Sequence, residues 1–199
     1  MFERYRFVDV KNDLNIDENK IEQKITKKTK AIVPVHWSGR VCEMEKILKI
    51  AKKYELFVVE DACHAILAHD DNKKFAGNFG VTGCFSMHPL KNLNVWGDGG
   101  IITTNNKKIY EKLKLIRSHG RVDKTNYFDN PLDPNYIDIG YNWRMPSLIA
   151  ALGISQLAKF DKIIKMRQEH AQYLNQRLAK HSQIQTPNPS EGYNHIYQM

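Results

Sequence analysis

Residues 57–100 read FVVEDACHAILAHDDNKKFAGNFGVTGCFSMHPLKNLNVWGDGG, and the rest of the chain is organised around them. A short apolar run over residues 57–59 delivers an acid pair, Glu60 and Asp61, at its end. A second run over residues 83–87 delivers Ser86, His88 and Lys91, and Gly97, Gly99 and Gly100 close the stretch. Two apolar runs of strand length that each end in polar residues predict an α/β sheet with its chemistry collected at the strand ends.

Just upstream, AIVPVHW over residues 31–37 is β-rich and stops at Ser38 and Gly39. Its Pro34 has no N–H to give a ladder, which predicts an edge or bulged strand. Over residues 41–54, Val41, Met44, Leu48 and Ala51 fall at helical spacing with Lys46, Lys49 and Lys53 on the other side. Strand, helix and strand in that order make a βαβ crossover, the unit of parallel sheets. Further upstream, residues 7–10 predict the end of a strand. Residues 12–16 predict a turn into a helix opening at Asp17 and Glu18, whose charges suit the positive helix end.

Downstream, residues 100–104 predict a strand whose short Gly-rich connection leaves no room for a crossover helix, so it runs antiparallel to its neighbour. Residues 106–118 predict a helix with Ile109, Leu113 and Ile116 on one face. Residues 121–139 are rich in Asn, Asp and Pro and long for a loop, which predicts a functional or interface segment. Pro146, as a first-turn residue, opens a helical pattern that runs to about residue 180. TPNPSEG over residues 186–192 has the composition of a linker.

With 199 residues, 42% hydrophobic and 26% charged, the chain suits an ordinary globular protein with a sizeable core. No apolar run approaches the roughly 18–20 residues that span a bilayer, and MFERYRFVDV lacks the apolar core of a signal peptide, so the expected location is cytoplasmic. Cys42, Cys63 and Cys84 are odd in number and show no CxxC spacing. They predict buried free thiols rather than a disulfide framework or a zinc site. The net charge of +8 is spread over dispersed lysines, among them Lys27, Lys52, Lys107 and Lys112. Without a basic patch interleaved with aromatics it excludes a nucleic-acid reading and suits an anionic small molecule.

A lysine on a loop between strands is by default a solvated surface residue. Lys91 is set apart by its neighbours: five positions after Ser86, three after His88 and six before the first of three glycines, which let backbone approach a ligand closely. A lysine in a confined site can lose its proton and attack a carbonyl to form a Schiff base. In pyridoxal 5'-phosphate chemistry such a lysine is paired with a carboxylate against the pyridine nitrogen, because the protonated ring is the better electron sink. Asp61, at a strand end, is the candidate carboxylate, and Ser86 is a candidate donor to the phosphate.

The runs VEDACHA, FSMHPLKN, WGDGG and GYNWRMPSLIAALGISQL closely resemble those of the DegT/DnrJ/EryC1/StrS aminotransferases, as do PVHWSG and FVDVKNDLNID. The resemblance covers about residues 5–175. It implies the PLP-dependent transferase architecture of fold type I, a mostly parallel sheet flanked by helices in a large domain, followed by a small C-terminal domain. It implies a homodimer with a shared active site, acting in polysaccharide or O-antigen biosynthesis on a nucleotide-linked keto sugar, with glutamate the usual amino donor. Matched by motif, Lys91 is the Schiff-base lysine, Asp61 the partner of the pyridine nitrogen and Ser86 a phosphate ligand. His64 matches a residue that packs on or bonds the cofactor. Asn142 matches one that reaches the phosphate of the neighbouring subunit, with Tyr141 and Arg144 as companions. A satisfied core histidine remains the other reading of His64, and of His88 still more, while Glu60 reads as structural.

Family members run to roughly twice this length. The resemblance therefore implies an incomplete large domain with interdomain helices over residues 1–181, and a linker and the opening of a small domain over residues 182–199. Two alternatives stay open. One is a sugar dehydratase of the same superfamily, in which a histidine stands in place of the lysine; the other is an inactive or regulatory fragment.

Overall fold

The computed structural model describes residues 4–122, 136–187 and 192–199. Four strands form one sheet in the order β1-β2-β3-β4: β1 (Ala31–Ile32), β2 (Phe57–Asp61), β3 (Thr82–Ser86) and β4 (Gly100–Thr103). The first three run parallel and β4 antiparallel, as strand order and connection length predict. The register sets Asp61 opposite Cys84, and Ser86 opposite Gly100.

Helix α1 (Met44–Lys53) is the crossover between β1 and β2. Its buried face is Met44, Ile47 and Ala51, three and four residues apart, with lysines outward. Asn106 caps α2 (Lys107–Arg117) by accepting the N–H groups of Lys108 and Ile109. The helical pattern after Pro146 divides into α3 (Ser147–Leu157) and α4 (Phe160–Leu178), with Pro146 preceding the first turn rather than lying inside it. The core gathers Ile32, Ile47, Val58, Ala65, Leu93, Val95, Phe160 and Ile196.

Several local expectations fail. Residues 7–10 form no strand; only Val10 pairs, in a single bridge to Ile16, and Phe7 is 88% exposed. The helix expected at Asp17 is one 3₁₀ turn, Glu18–Lys20, capped by the Asp17 carboxylate. β1 stops after two residues because Pro34 cannot donate to a ladder; its carbonyl still accepts the Asp61 N–H at 2.9 Å. Two of the three glycines also sit against packed neighbours. A Cβ at Gly99 would lie 3.0 Å from Val95, and one at Gly100 would lie 3.0 Å from the Phe85 carbonyl. Of the long segment over residues 121–139 and the linker over residues 186–192, positions 123–135 and 188–191 lie outside the described residues.

Candidate functional site

Side chains along β2 alternate between the two faces of the sheet. Val58 and Glu60 point into the buried face, and Val59 and Asp61 lie on the half-exposed one. Cys84 opposes Asp61 in parallel register, so Cys84 and Ser86, two residues on, share the Asp61 face. The carboxyl ends of β2 and β3 therefore present Asp61 and Ser86 on the same half-exposed face.

The Asp61 backbone is fixed from both sides. Its N–H donates to the Pro34 carbonyl and its own carbonyl accepts the His36 N–H at 3.0 Å, while the Ala62 N–H bonds the Cys84 carbonyl at 2.9 Å. Asp61 Oδ1 accepts the N–H of Cys63 at 3.1 Å, which orients the carboxylate. Ser86 Oγ accepts the N–H of His88 at 3.3 Å, so its own hydrogen remains to be donated.

His64, three residues past Asp61, has its Nδ1 as acceptor of the Ser38 N–H at 3.3 Å, which leaves Nε2 as the nitrogen that carries hydrogen. Its ring lies 5.3 Å from that of Trp37. Burial lowers the His64 pKa, the Lys91 charge lowers it further, and Asp61 opposes both. Cys63 responds to the same pair: burial pushes its thiol up to about 12, Asp61 adds to the rise and Lys91 counters it. The charges of Lys91 and Asp61 thus bear on the same two side chains. Lys91 itself is half-buried and its N–H donates to the His88 carbonyl at 2.8 Å. His88 is exposed, and its Nδ1 accepts the Leu90 N–H at 3.3 Å.

Glu60 belongs to the other face and is fully buried. It accepts from His36 Nε2 at 2.9 Å and from the N–H groups of Gly77, Phe79 and Gly80 at 2.6–2.7 Å. His36 Nδ1 in turn accepts the Cys42 N–H. With its acceptor sites taken, Glu60 ties the turn before β3 to β2.

Asn142 is placed elsewhere. It pairs with Ser118 in an antiparallel bridge at the end of α2, and its side chain is exposed. Tyr141 stacks on Trp143 at 4.4 Å, and Arg144 donates to Ser118 Oγ at 3.3 Å. Of the three cysteines, none paired, Cys42 is buried and Cys63 and Cys84 half-buried. Among the described residues no group of His, Cys, Asp or Glu is arranged to hold a metal ion, and no helix is long and apolar enough to cross a membrane.

Sequence reasoning missed four contributors: Cys63, Ser38, Asn92 and Gln198. Ser38 adopts φ 53° and turns its N–H to His64. Asn92 and Gln198 bond each other across the lysine loop. No local pattern marks Ser38, Asn92 or Gln198, because each acts on a partner distant in sequence, and the Cys63 contribution comes from its backbone N–H, which any residue but proline carries.

The profile of the DegT/DnrJ/EryC1/StrS aminotransferase family matches residues 4–199. An uncharacterised protein of Methanocaldococcus jannaschii is 39% identical over 197 residues, covering 97% of this chain and 50% of its own length. The UDP-4-amino-4,6-dideoxy-N-acetyl-beta-L-altrosamine transaminase of Campylobacter jejuni is 35% identical over 200 residues, with 98% and 51% covered. The solved structure of Helicobacter pylori PseC, an aminotransferase of pseudaminic acid biosynthesis, superposes with TM-score 0.82 at 32% identity, over 97% of this chain and 50% of that one. The E. coli GDP-4-keto-6-deoxy-D-mannose-3-dehydratase with bound hydrated PLP gives TM-score 0.84 at 29% identity, over 96% and 51%. The chain spans about half the length of the curated relatives it matches.

Proposed function

The chain belongs to the DegT/DnrJ/EryC1/StrS aminotransferase family, and on that premise we propose that it serves a pyridoxal 5'-phosphate-dependent transfer of an amino group from a donor such as glutamate to a nucleotide-linked keto sugar. Each half-reaction exchanges one amino group for one oxo group, so the donor leaves as a keto acid and the sugar as an amino sugar. The observation that carries this reading is the family match over residues 4–199, with Asp61 and Ser86 on one face at the carboxyl ends of β2 and β3 and Lys91 on the loop that follows.

Asp61 and Ser86 share one face, and with the Lys91 amine and the His64 ring they suit an aldehyde cofactor with a cationic ring and an anionic tail. Bound there, the cofactor supplies an electron sink for the carbanion formed when an amino acid loses its Cα proton. Lys91 is the attachment point and the base that takes the proton from the donor's Cα. Asp61, held by the Cys63 N–H, keeps the ring nitrogen protonated by placing a negative charge against it. Ser86 donates its hydroxyl hydrogen to a phosphate oxygen. With its pKa lowered below the usual histidine value, the His64 ring is neutral at pH 7 and packs without adding charge to the Lys91 side. Cys63 stays a thiol and does not compete with Lys91 for the aldehyde.

The proposed homodimer, with its shared site, has support in the apolar face left open by α3, where Leu148 is 74% and Ile154 71% exposed. Asn142 then acts toward the partner's site. The diphosphate of the sugar nucleotide suits a chain of net charge +8, and the reading places the protein in the cytoplasm.

The dehydratase likeness makes that reaction the second reading, with Lys91 standing where such enzymes carry histidine. One experiment decides between them. The protein as its own gene expresses it is mixed with pyridoxal phosphate and treated with borohydride, and the pyridoxyl label is located by mass spectrometry. The expected label is on Lys91, Lys91→Ala loses it, and Asp61→Asn lowers glutamate-dependent turnover by about 10²-fold or more, the scale of one lost preorganised electrostatic partner. A protein that takes no label on Lys91 overturns the reading.

A further inference from the structure

We propose that Gln198 is the positioning residue for Lys91, a role that rests on the reading of Lys91 as the reacting amine. One carboxamide grips the peptide groups on both sides of the lysine. Gln198 Oε1 accepts the Asn92 N–H at 2.8 Å, and Gln198 Nε2 donates to the Leu90 carbonyl at 2.8 Å. The first group belongs to the peptide plane that follows the Lys91 Cα, the second to the plane that precedes it. Fixing both planes against one rigid planar amide fixes φ and ψ of Lys91 together, and with them the direction in which its Cα–Cβ bond leaves the backbone. A side chain with four rotatable carbons is aimed first at its root.

The clasp is itself anchored. Gln198 is only 7% exposed, while Leu90 on the loop is 79% exposed. The Gln198 N–H donates to the Ser38 carbonyl at 2.8 Å, and the Ile196 N–H to the Gly39 carbonyl at 3.2 Å. Arg167 on α4 donates to the Tyr197 carbonyl at 2.8 Å and to that of Gln198 at 3.3 Å. Asn92 returns the contact, its Nδ2 donating to the Ile196 carbonyl at 3.3 Å. Ile196 is fully buried, and a Cβ on Gly39 would lie 2.3 Å from its Cγ1. Ser38, which bonds His64, therefore also holds the segment that holds Lys91, so the two sides of the candidate site share one support.

Only a carboxamide offers a donor and an acceptor side by side in one plane. Gln198→Leu removes both bonds at similar volume, and Gln198→Glu keeps the acceptor for Asn92 but offers the Leu90 carbonyl no donor. Asn194→Ala is the control: it weakens docking of the same segment, losing bonds to the Leu67 carbonyl and to Gln168, and leaves the clasp intact. In the protein as its own gene expresses it, the rate of borohydride-fixed pyridoxyl labelling at Lys91 is measured at saturating pyridoxal phosphate. Amide hydrogen exchange over residues 90–92 is measured without cofactor.

The expected result is labelling slowed about tenfold or more in Gln198→Leu, an intermediate rate in Gln198→Glu and an unchanged rate in Asn194→Ala. Exchange at Asn92 is expected to quicken in Gln198→Leu alone. Labelling at the wild-type rate in Gln198→Leu overturns the proposal, as does an equal slowing in Asn194→Ala, which would reduce Gln198 to general support of the segment. Gln198→Leu that does not fold is replaced by Gln198→Glu, and labelling at the wild-type rate there overturns the proposal equally. A wild type that takes no label at Lys91 sinks the underlying reading and the role with it; exchange at Asn92 then still shows whether the clasp itself exists.

Discussion

Asp61 and Glu60 are neighbours in sequence, and the two-residue period of β2 sends them to opposite faces, one half-exposed and one in the interior. Glu60→Ala would strand three backbone N–H groups and the His36 ring hydrogen in a buried site. The expected cost is about 3–5 kcal/mol in urea unfolding, the scale of breaking a buried charged partnership. A loss below about 1 kcal/mol would mean that water takes over those groups. Glu18 offers the matching test against pH. Burial raises its carboxyl pKa, but hydrogen bonds from Lys11 and Lys46 outweigh that and hold it at about 2, against 4.5 normally. Because the folded value is the lower one, the stabilisation is complete above pH 4.5 and is lost as pH falls toward 2. Melting temperature should fall through that window, and less steeply in Glu18→Gln. Equal slopes would remove Glu18 from the acid limb. The charged types, Lys91 and Asp61, were legible as candidates because one closes an apolar strand run and the other lies in the loop after the next. The partners that aim them were not, since a glutamine or a serine carries no such signal.

Among the elements, the βαβ unit was readable because its periods are strong: two apolar strand runs and an α1 face at helical spacing. Residues 7–10 have strand-like composition but no strand beside them, and β-propensity without a neighbour makes no sheet. The break between α3 and α4 at Ala158 and Lys159 carries neither Gly nor Pro, so no punctuation betrays it. β3 makes its own demand for close approach. A Cβ at Gly83 would lie 2.2 Å from the Gly77 Cα, because the Gly77 turn folds over β3 to bring its N–H to Glu60. Gly83→Ala should therefore cost about 1–3 kcal/mol, the range of overpacking. The shift of the urea midpoint measures it, and an unmoved midpoint would show that the turn backs away freely.

Across the whole molecule, α3 is apolar on nearly every side but buries only Gly153, where a Cβ would lie 2.9 Å from Met87 Cε. An apolar helix seated through Gly153 and Ile149, with Leu148 and Ile154 exposed, leaves a surface suited to a second copy. Light scattering should give twice the chain mass, and Leu148→Asp combined with Ile154→Asp should return it to the monomer value. A wild type that is monomeric at micromolar concentration would remove the dimer. The sequence by itself determined the βαβ crossover from β1 through α1 to β2, the antiparallel sense of β4 and the acid pair that closes β2, because these depend on periods and breaks among adjacent residues. Only the tertiary structure decided that residues 7–10 form no strand, and that Gln198, 106 positions from Asn92, closes on the lysine loop. Contacts of that span are fixed by how the packed elements meet, and they leave no trace in any local window.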